Sequence, residues 1–225
     1  MKYLLHGDDT AKSRNFLQEL TEGFELTILE GKSLALNLFE ENLVSSSLFE
    51  VEKAVVVENL ISKNAKKKEF VSLLNNYNGP FLTILWEDKK LTKTQFGSLK
   101  NFEIKEFLLP QYYFQFLDSF TQGNGKRLFS LYHELLTTYS EEQVFYSLLK
   151  RLRILVVLSG GSMTDEIAKM APWQISKLKQ QLRQWKNDKL LNFYKTLQET
   201  EIKLKSGRLP LGLSKHLDIL ILSEL

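Results

Sequence analysis

A chain of 225 residues that is 43% hydrophobic and 25% charged can bury one large core or two modest ones, as ordinary globular proteins do. It has no cysteine, which excludes disulfides and thiolate metal sites and suits a reducing cytoplasm. No apolar run approaches membrane-spanning length, and Met1-Lys2-Tyr3-Leu4-Leu5 meets Asp8 and Asp9 too soon for a signal segment, so a cytoplasmic protein is expected.

The net charge of +3 is unevenly spread: residues 1–110 carry 14 Lys plus Arg against 16 Asp plus Glu, and residues 111–225 carry 16 against 11. The first part is therefore −2 and the second +5. A mild basic excess permits contact with nucleic acid and equally describes solvated helix faces.

In chain order, the first strand, Lys2 to His6, runs through Gly7-Asp8-Asp9-Thr10-Ala11-Lys12-Ser13 into a helix over Asp9 to Glu22. A working phosphate loop has glycine, four residues, a second glycine, then lysine and serine or threonine, so that backbone N–H groups bend around phosphate. Here Lys12-Ser13 follow the four residues directly, and Asp8 and Asp9 bring two negative charges to the loop. The pattern predicts a nucleotide-binding scaffold without its chemistry, with Gly7, Lys12 and Ser13 in the degenerate nucleotide site, to which the resemblance named below adds Glu58.

Further strands are predicted at Glu25 to Leu29, Lys53 to Glu58, Phe81 to Trp86 and Glu103 to Leu108, and helices at Ser33 to Asn42, Asn64 to Tyr77 and Thr92 to Lys100. Ala54-Val55-Val56-Val57 and Phe81-Leu82-Thr83-Ile84-Leu85-Trp86 are apolar on both faces, the mark of a parallel sheet covered by helices on both sides. From Tyr112 onward the spacing is helical. Helices are expected at Tyr112 to Gln122, Lys126 to Tyr139, Glu141 to Leu158, Met163 to Met170, Trp173 to Gln184, Asp188 to Lys205 and Leu211 to Leu222. Ser140 with Gln143, and Asn187 before Asp188, supply caps. The fold class is thus α/β plus all-α, with domains at 1–110 and 111–225.

This order of pieces resembles the delta subunit of the bacterial DNA polymerase III clamp loader. In the first domain the resemblance rests on Tyr3-Leu4-Leu5-His6-Gly7-Asp8-Asp9, Ser47-Leu48-Phe49 and Ala54-Val55-Val56-Val57-Glu58-Asn59-Leu60. In the second it rests on Leu148-Leu149-Lys150-Arg151-Leu152-Arg153-Ile154-Leu155, Ala171-Pro172-Trp173-Gln174-Ile175-Ser176-Lys177 and Glu201-Ile202-Lys203-Leu204-Lys205-Ser206-Gly207. It implies a degenerate AAA+ domain followed by a helical collar domain. The third strand ends Glu58-Asn59 where an active relative carries aspartate and glutamate for magnesium and water, and an amide is a poor general base. Family members also carry a small helical lid between the two domains. Here Phe107-Leu108-Leu109-Pro110 leads almost directly into a helix, so the lid looks deleted.

The resemblance implies that Ser47, Leu48 and Phe49 bind the DNA sliding clamp, Leu48 and Phe49 acting as a hydrophobic plug. The residues allow it: Ser45-Ser46-Ser47 makes a polar neck, and an adjacent large apolar pair cannot both face inward on a regular helix. The alternative is that Leu48 and Phe49 fill a hole between helix and sheet.

Lys150, Arg151 and Arg153 are candidate DNA or subunit contacts, or serve solubility. Lys66-Lys67-Lys68 reads as the wet side of a helix, and Trp173 and Trp185 as core or interface residues. His6, His133 and His216 are too scattered for a metal site. The implied protein is a noncatalytic clamp-loader subunit without a cofactor. Its partners would be the sliding clamp, the delta-prime and gamma/tau subunits and, through the complex, primer-template DNA. Rival readings are a divergent P-loop nucleotide-binding enzyme and a DNA-binding adaptor that uses the basic helical domain.

Overall fold

The structure, a computed structural model, describes residues 1–44, 52–186 and 188–225. Ser47, Leu48 and Phe49, the Ser45-Ser46-Ser47 neck and the Asn187 cap lie outside the described residues. The chain divides into two compact units, Met1–Leu109 and Pro110–Leu225.

The first unit runs β1 (Lys2–Gly7), α1 (Thr10–Leu20), β2 (Glu25–Glu30), a 3-10 turn (Gly31–Ser33), α2 (Leu36–Val44), β3 (Lys53–Glu58), α3 (Leu60–Lys63), α4 (Lys67–Asn76), β4 (Leu82–Glu87), α5 (Lys93–Phe96) and β5 (Glu103–Phe107). The five strands form one parallel sheet in the order β2-β3-β4-β1-β5. The strand period of two sorts the central strands onto two faces. Leu4, Val55, Val57 and Leu85 join Phe39, Phe70 and Leu74 on one face, and Leu5, Ala54, Val56, Ile84 and Trp86 join Leu17 on the other. Helices cover both faces, as the continuous apolar runs predict.

The differences from the sequence expectation are at helix ends. The helix expected over Asn64 to Tyr77 is α4, and a separate short turn, α3, precedes it. The helix expected over Thr92 to Lys100 stops at Phe96, and that over Ser33 to Asn42 is shifted to Leu36–Val44 behind the 3-10 turn. There the Asn64 amide donates to the Gly31 carbonyl and holds the turn.

The second unit contains α6 (Gln111–Asp118), α7 (Gly125–Leu136), α8 (Glu141–Ser159), α9 (Asp165–Ala168), α10 (Pro172–Leu182), α11 (Lys189–Lys205) and α12 (Leu213–Glu224). No strand occurs among its described residues. The long α8 is its central element, packed by α6, α7, α10, α11 and α12, and it buries Val144, Phe145, Leu148, Leu152 and Leu155. Its start is fixed by reciprocal bonds: Gln143 N–H donates to Ser140 Oγ at 3.3 Å, and Ser140 N–H to Gln143 Oε1 at 3.2 Å. Only Leu108 to Pro110 separate β5 from α6, so no helical lid intervenes.

Candidate functional site

The β1–α1 loop emerges between the ends of β4 and β5, because His6 lies beside Glu87 and Gly7 beside Phe107. Gly7 has φ +149°, and a Cβ there would sit 1.7 Å from the Phe107 carbonyl oxygen. The glycine therefore answers to the close approach of β5 backbone. The loop's polar groups are likewise turned to the protein. Asp9 N–H donates to the Phe107 carbonyl at 3.1 Å, and Leu109 N–H donates to Asp8 Oδ1 at 2.8 Å. The buried Asp9 carboxylate accepts from Lys12 N–H at 3.1 Å and caps α1, an internal anion serving a helix start that a phosphate would serve in a working loop.

Lys12 and Ser13 are held in the same way. Lys12 Nζ lies 3.7 Å from Asp9 Oδ2. Ser13 is fully buried; its hydroxyl donates to the Thr10 carbonyl and accepts from Trp86 Nε1, each at 3.1 Å. The guanidinium of Arg14 stacks 3.6 Å from the centre of the Trp86 ring and reaches Glu58 Oε1 at 2.6 Å. The structure thus brings Gly7, Lys12, Ser13 and Glu58 to one end of the sheet, each with an intramolecular partner or contact.

A second buried acid at this end, beside Asp9, is Glu87, the last residue of β4. Its carboxylate accepts from Ile61 N–H at 2.6 Å and Ser62 N–H at 3.1 Å and so holds the start of α3. Burial pushes its carboxyl above the ordinary value, against the pull of the bonds from Ser62 and Ile61. His6 is also buried, with Nδ1 accepting from Leu91 N–H at 3.3 Å, and burial lowers its pKa. Among the described residues no three His, Cys, Asp or Glu side chains are grouped to hold a metal ion.

In the helical unit, the cations singled out on α8 are neutralised locally. Lys150 and Arg153 reach the two oxygens of Glu166 at 3.3 and 2.7 Å, and the largely buried Arg151 reaches Asp118 on α6 at 3.2 Å. Trp185 is a core residue against Phe120 and Phe193, whereas Trp173 stands 65% exposed on α10. Among the described residues no helix is long and apolar enough to cross a membrane.

The family described as DNA polymerase III delta subunit, C-terminal domain, matches residues 111–221. This half of the chain belongs to that family. The match supports a delta-like clamp-loader subunit. No curated protein matches the chain. Among solved structures it is similar to the Bacillus subtilis DNA clamp loader delta protein, at 12% identity and a TM-score of 0.42, over 99% of this chain and 94% of that one. It is also similar to a DNA polymerase III gamma subunit-related protein from Thermotoga maritima, at 14% identity and a TM-score of 0.38, over 100% and 93%.

Within the delta-type domain, Glu166 and Asp118 answer the cations that sequence reasoning singled out on α8, partners that residue spacing alone does not pair.

Proposed function

We propose that this chain is a noncatalytic clamp-loader subunit that binds the DNA sliding clamp and helps to open it during replication. The supporting observation is a delta-type C-terminal domain at 111–221, following a P-loop-like unit whose loop groups are engaged within the protein. A phosphate could reach the Asp9 and Lys12 amides only by displacing the Phe107 carbonyl and the Asp9 carboxylate. The nucleotide-enzyme reading is therefore set aside, and ATP-using partner subunits supply the timing. The helical unit holds the chain to delta-prime and gamma/tau subunits in the cytoplasm, and primer-template DNA is met mainly through the complex.

The clamp anchor is Leu48 with Phe49, next to Ser47. Val44, the last described residue before them, is 80% exposed at the end of α2. Burying one leucine and one phenylalanine yields roughly 3–6 kcal/mol of gross driving force, enough to dominate a small interface. Clamp binding of this form favours a sprung clamp and needs no reaction on this chain.

Calorimetric titration of the chain with the sliding clamp of its own organism tests the reading. Binding is expected for the wild type and loss of about a hundredfold or more for Leu48→Ala, Phe49→Ala, with the fold intact. A wild-type chain that ignores the clamp would overturn the proposal.

A further inference from the structure

The two edges of the sheet are finished differently. At one edge β5 carries Glu103, Lys105 and Glu106, all engaged: Lys105 meets Glu103 at 2.7 Å and Lys90 meets Glu106 at 3.0 Å. Charged side chains of this kind keep an edge from pairing with another strand. At the other edge β2 has no cation, and Thr27 and Ile28, both β-branched, stand at its centre. Leu26 and Ile28 are 43% and 53% exposed. They lie beside Ala54 and Val56 of β3, so the apolar face that is fully buried there runs on into solvent at β2.

The backbone of the same two residues is turned outward. Glu25 N–H donates to the Glu52 carbonyl at 2.8 Å, so by alternation Glu25, Thr27 and Leu29 turn their N–H and C=O groups to β3, and Leu26, Ile28 and Glu30 turn theirs away from it. Among the described residues no strand lies beyond β2. Leu26 and Ile28 therefore offer an incoming strand both their backbone groups and their apolar side chains.

The sequence of β2 matches itself when reversed. Antiparallel pairing about a two-fold axis at Thr27 sets Leu26 of one copy opposite Ile28 of the other, and each such pair exchanges both of its backbone hydrogen bonds. Leu26, Ile28 and their copies then cover one another on one face, and Thr27 meets its copy on the other. Phe24 falls opposite Glu30 and Glu25 opposite Leu29, so neither glutamate of the strand faces a glutamate. A shift of two residues toward Glu30 would set Leu26 against a carboxylate on both sides of the axis. The two-fold pairing consumes both β2 edges, and the charges of β5 guard the edge that is left, so association closes at two copies.

We propose that the chain pairs with a second copy of itself through β2, Leu26 against Ile28 about a two-fold axis at Thr27, joining two five-stranded sheets into one. The proposal goes beyond clamp binding and does not depend on it.

The test is sedimentation velocity of the full chain from about 1 μM to 1 mM, in which a reversible passage from monomer to dimer is expected, with no larger species. Ile28→Lys places a charge opposite Leu26 and should weaken association about tenfold or more. The same substitution at Ile104, 42% exposed on β5, should leave association unchanged. Circular dichroism verifies the fold, and Leu26→Thr, which keeps a strand-favouring residue while removing apolar contact, repeats the test should the lysine variant fail it. Register is read with a single thiol, since the chain has no cysteine of its own. Thr27→Cys lies on the axis in a non-hydrogen-bonded pair, whose Cα atoms are about 4.5 Å apart and within disulfide reach. Mild oxidation should link its copies much faster than those of Ser98→Cys, an exposed position after α5.

A chain that stays monomeric throughout that range, a dimer indifferent to Ile28→Lys, or equal weakening by Ile104→Lys would overturn the proposal. So would Thr27→Cys linking no faster than Ser98→Cys. A monomer whose Leu26 and Ile28 amides are protected from exchange by a synthetic Lys-Val-Thr-Val-Lys peptide would also overturn it, and would assign the edge to a basic strand of another protein.

Discussion

Glu87 shows what a single residue does at the end of this sheet. Glu87-Asp88 could be taken for a catalytic acid pair, yet Glu87 caps the start of α3 and Asp88 pairs with Lys63 at 2.7 Å. Ile61 is fully buried, so its N–H has no water to turn to when the carboxylate is removed. Glu87→Ala should cost about 1.5–3 kcal/mol, seen as a lower urea midpoint for the first unit. Glu87→Gln should cost less. One amide oxygen still accepts, and the substitution removes the charge whose desolvation raises the carboxyl pKa. A glutamine variant less stable than the alanine variant would refute this account of the balance between capping and desolvation.

At the scale of elements, what was legible in the sequence was what neighbouring residues decide. The start of α8 is written in Ser140 and Gln143, four residues of text, and Ser140→Ala should lower the stability of the helical unit by about 1 kcal/mol. An unchanged thermal midpoint would show that α8 is held by packing alone. The central strands were legible because their apolar runs need helices on both faces. The turn α3 was not, since its cap comes from Glu87, 25 residues further on. The site divides in the same way. The broken loop motif could be read locally, but the reason for Gly7 is the carbonyl of Phe107 on a strand a hundred residues later in sequence. The charges of Lys150, Arg151 and Arg153 were visible, whereas their partners on α6 and α9 depend on tertiary packing.

For the whole molecule, the two units respond differently to acid because their buried titrating groups differ. Each carries a histidine whose pKa burial lowers: His6 in the first unit and His216, beside Thr200 and Lys203, in the second. The unfolded chain takes up these protons near pH 6.5 while the folded chain resists them, so their stabilising contribution is complete above that pH and declines below it. Glu87 acts with the opposite sign and only in the first unit. Its raised folded pKa lets the folded state keep a proton that the unfolded state releases near pH 4.5, so acidification above that point stabilises. As the pH falls towards 4.5, protonation of folded Glu87 therefore offsets part of the loss that His6 brings to the α/β unit, an offset with no counterpart at His216 in the helical unit. Urea titrations read from amide signals of each unit, in a His133→Gln background that removes the exposed His133–Asp218 pair, measure the two slopes separately. Introducing Glu87→Gln should steepen the decline of the first unit and leave the second unchanged. A slope of the first unit that Glu87→Gln leaves unchanged would mean that Glu87 does not carry the offset.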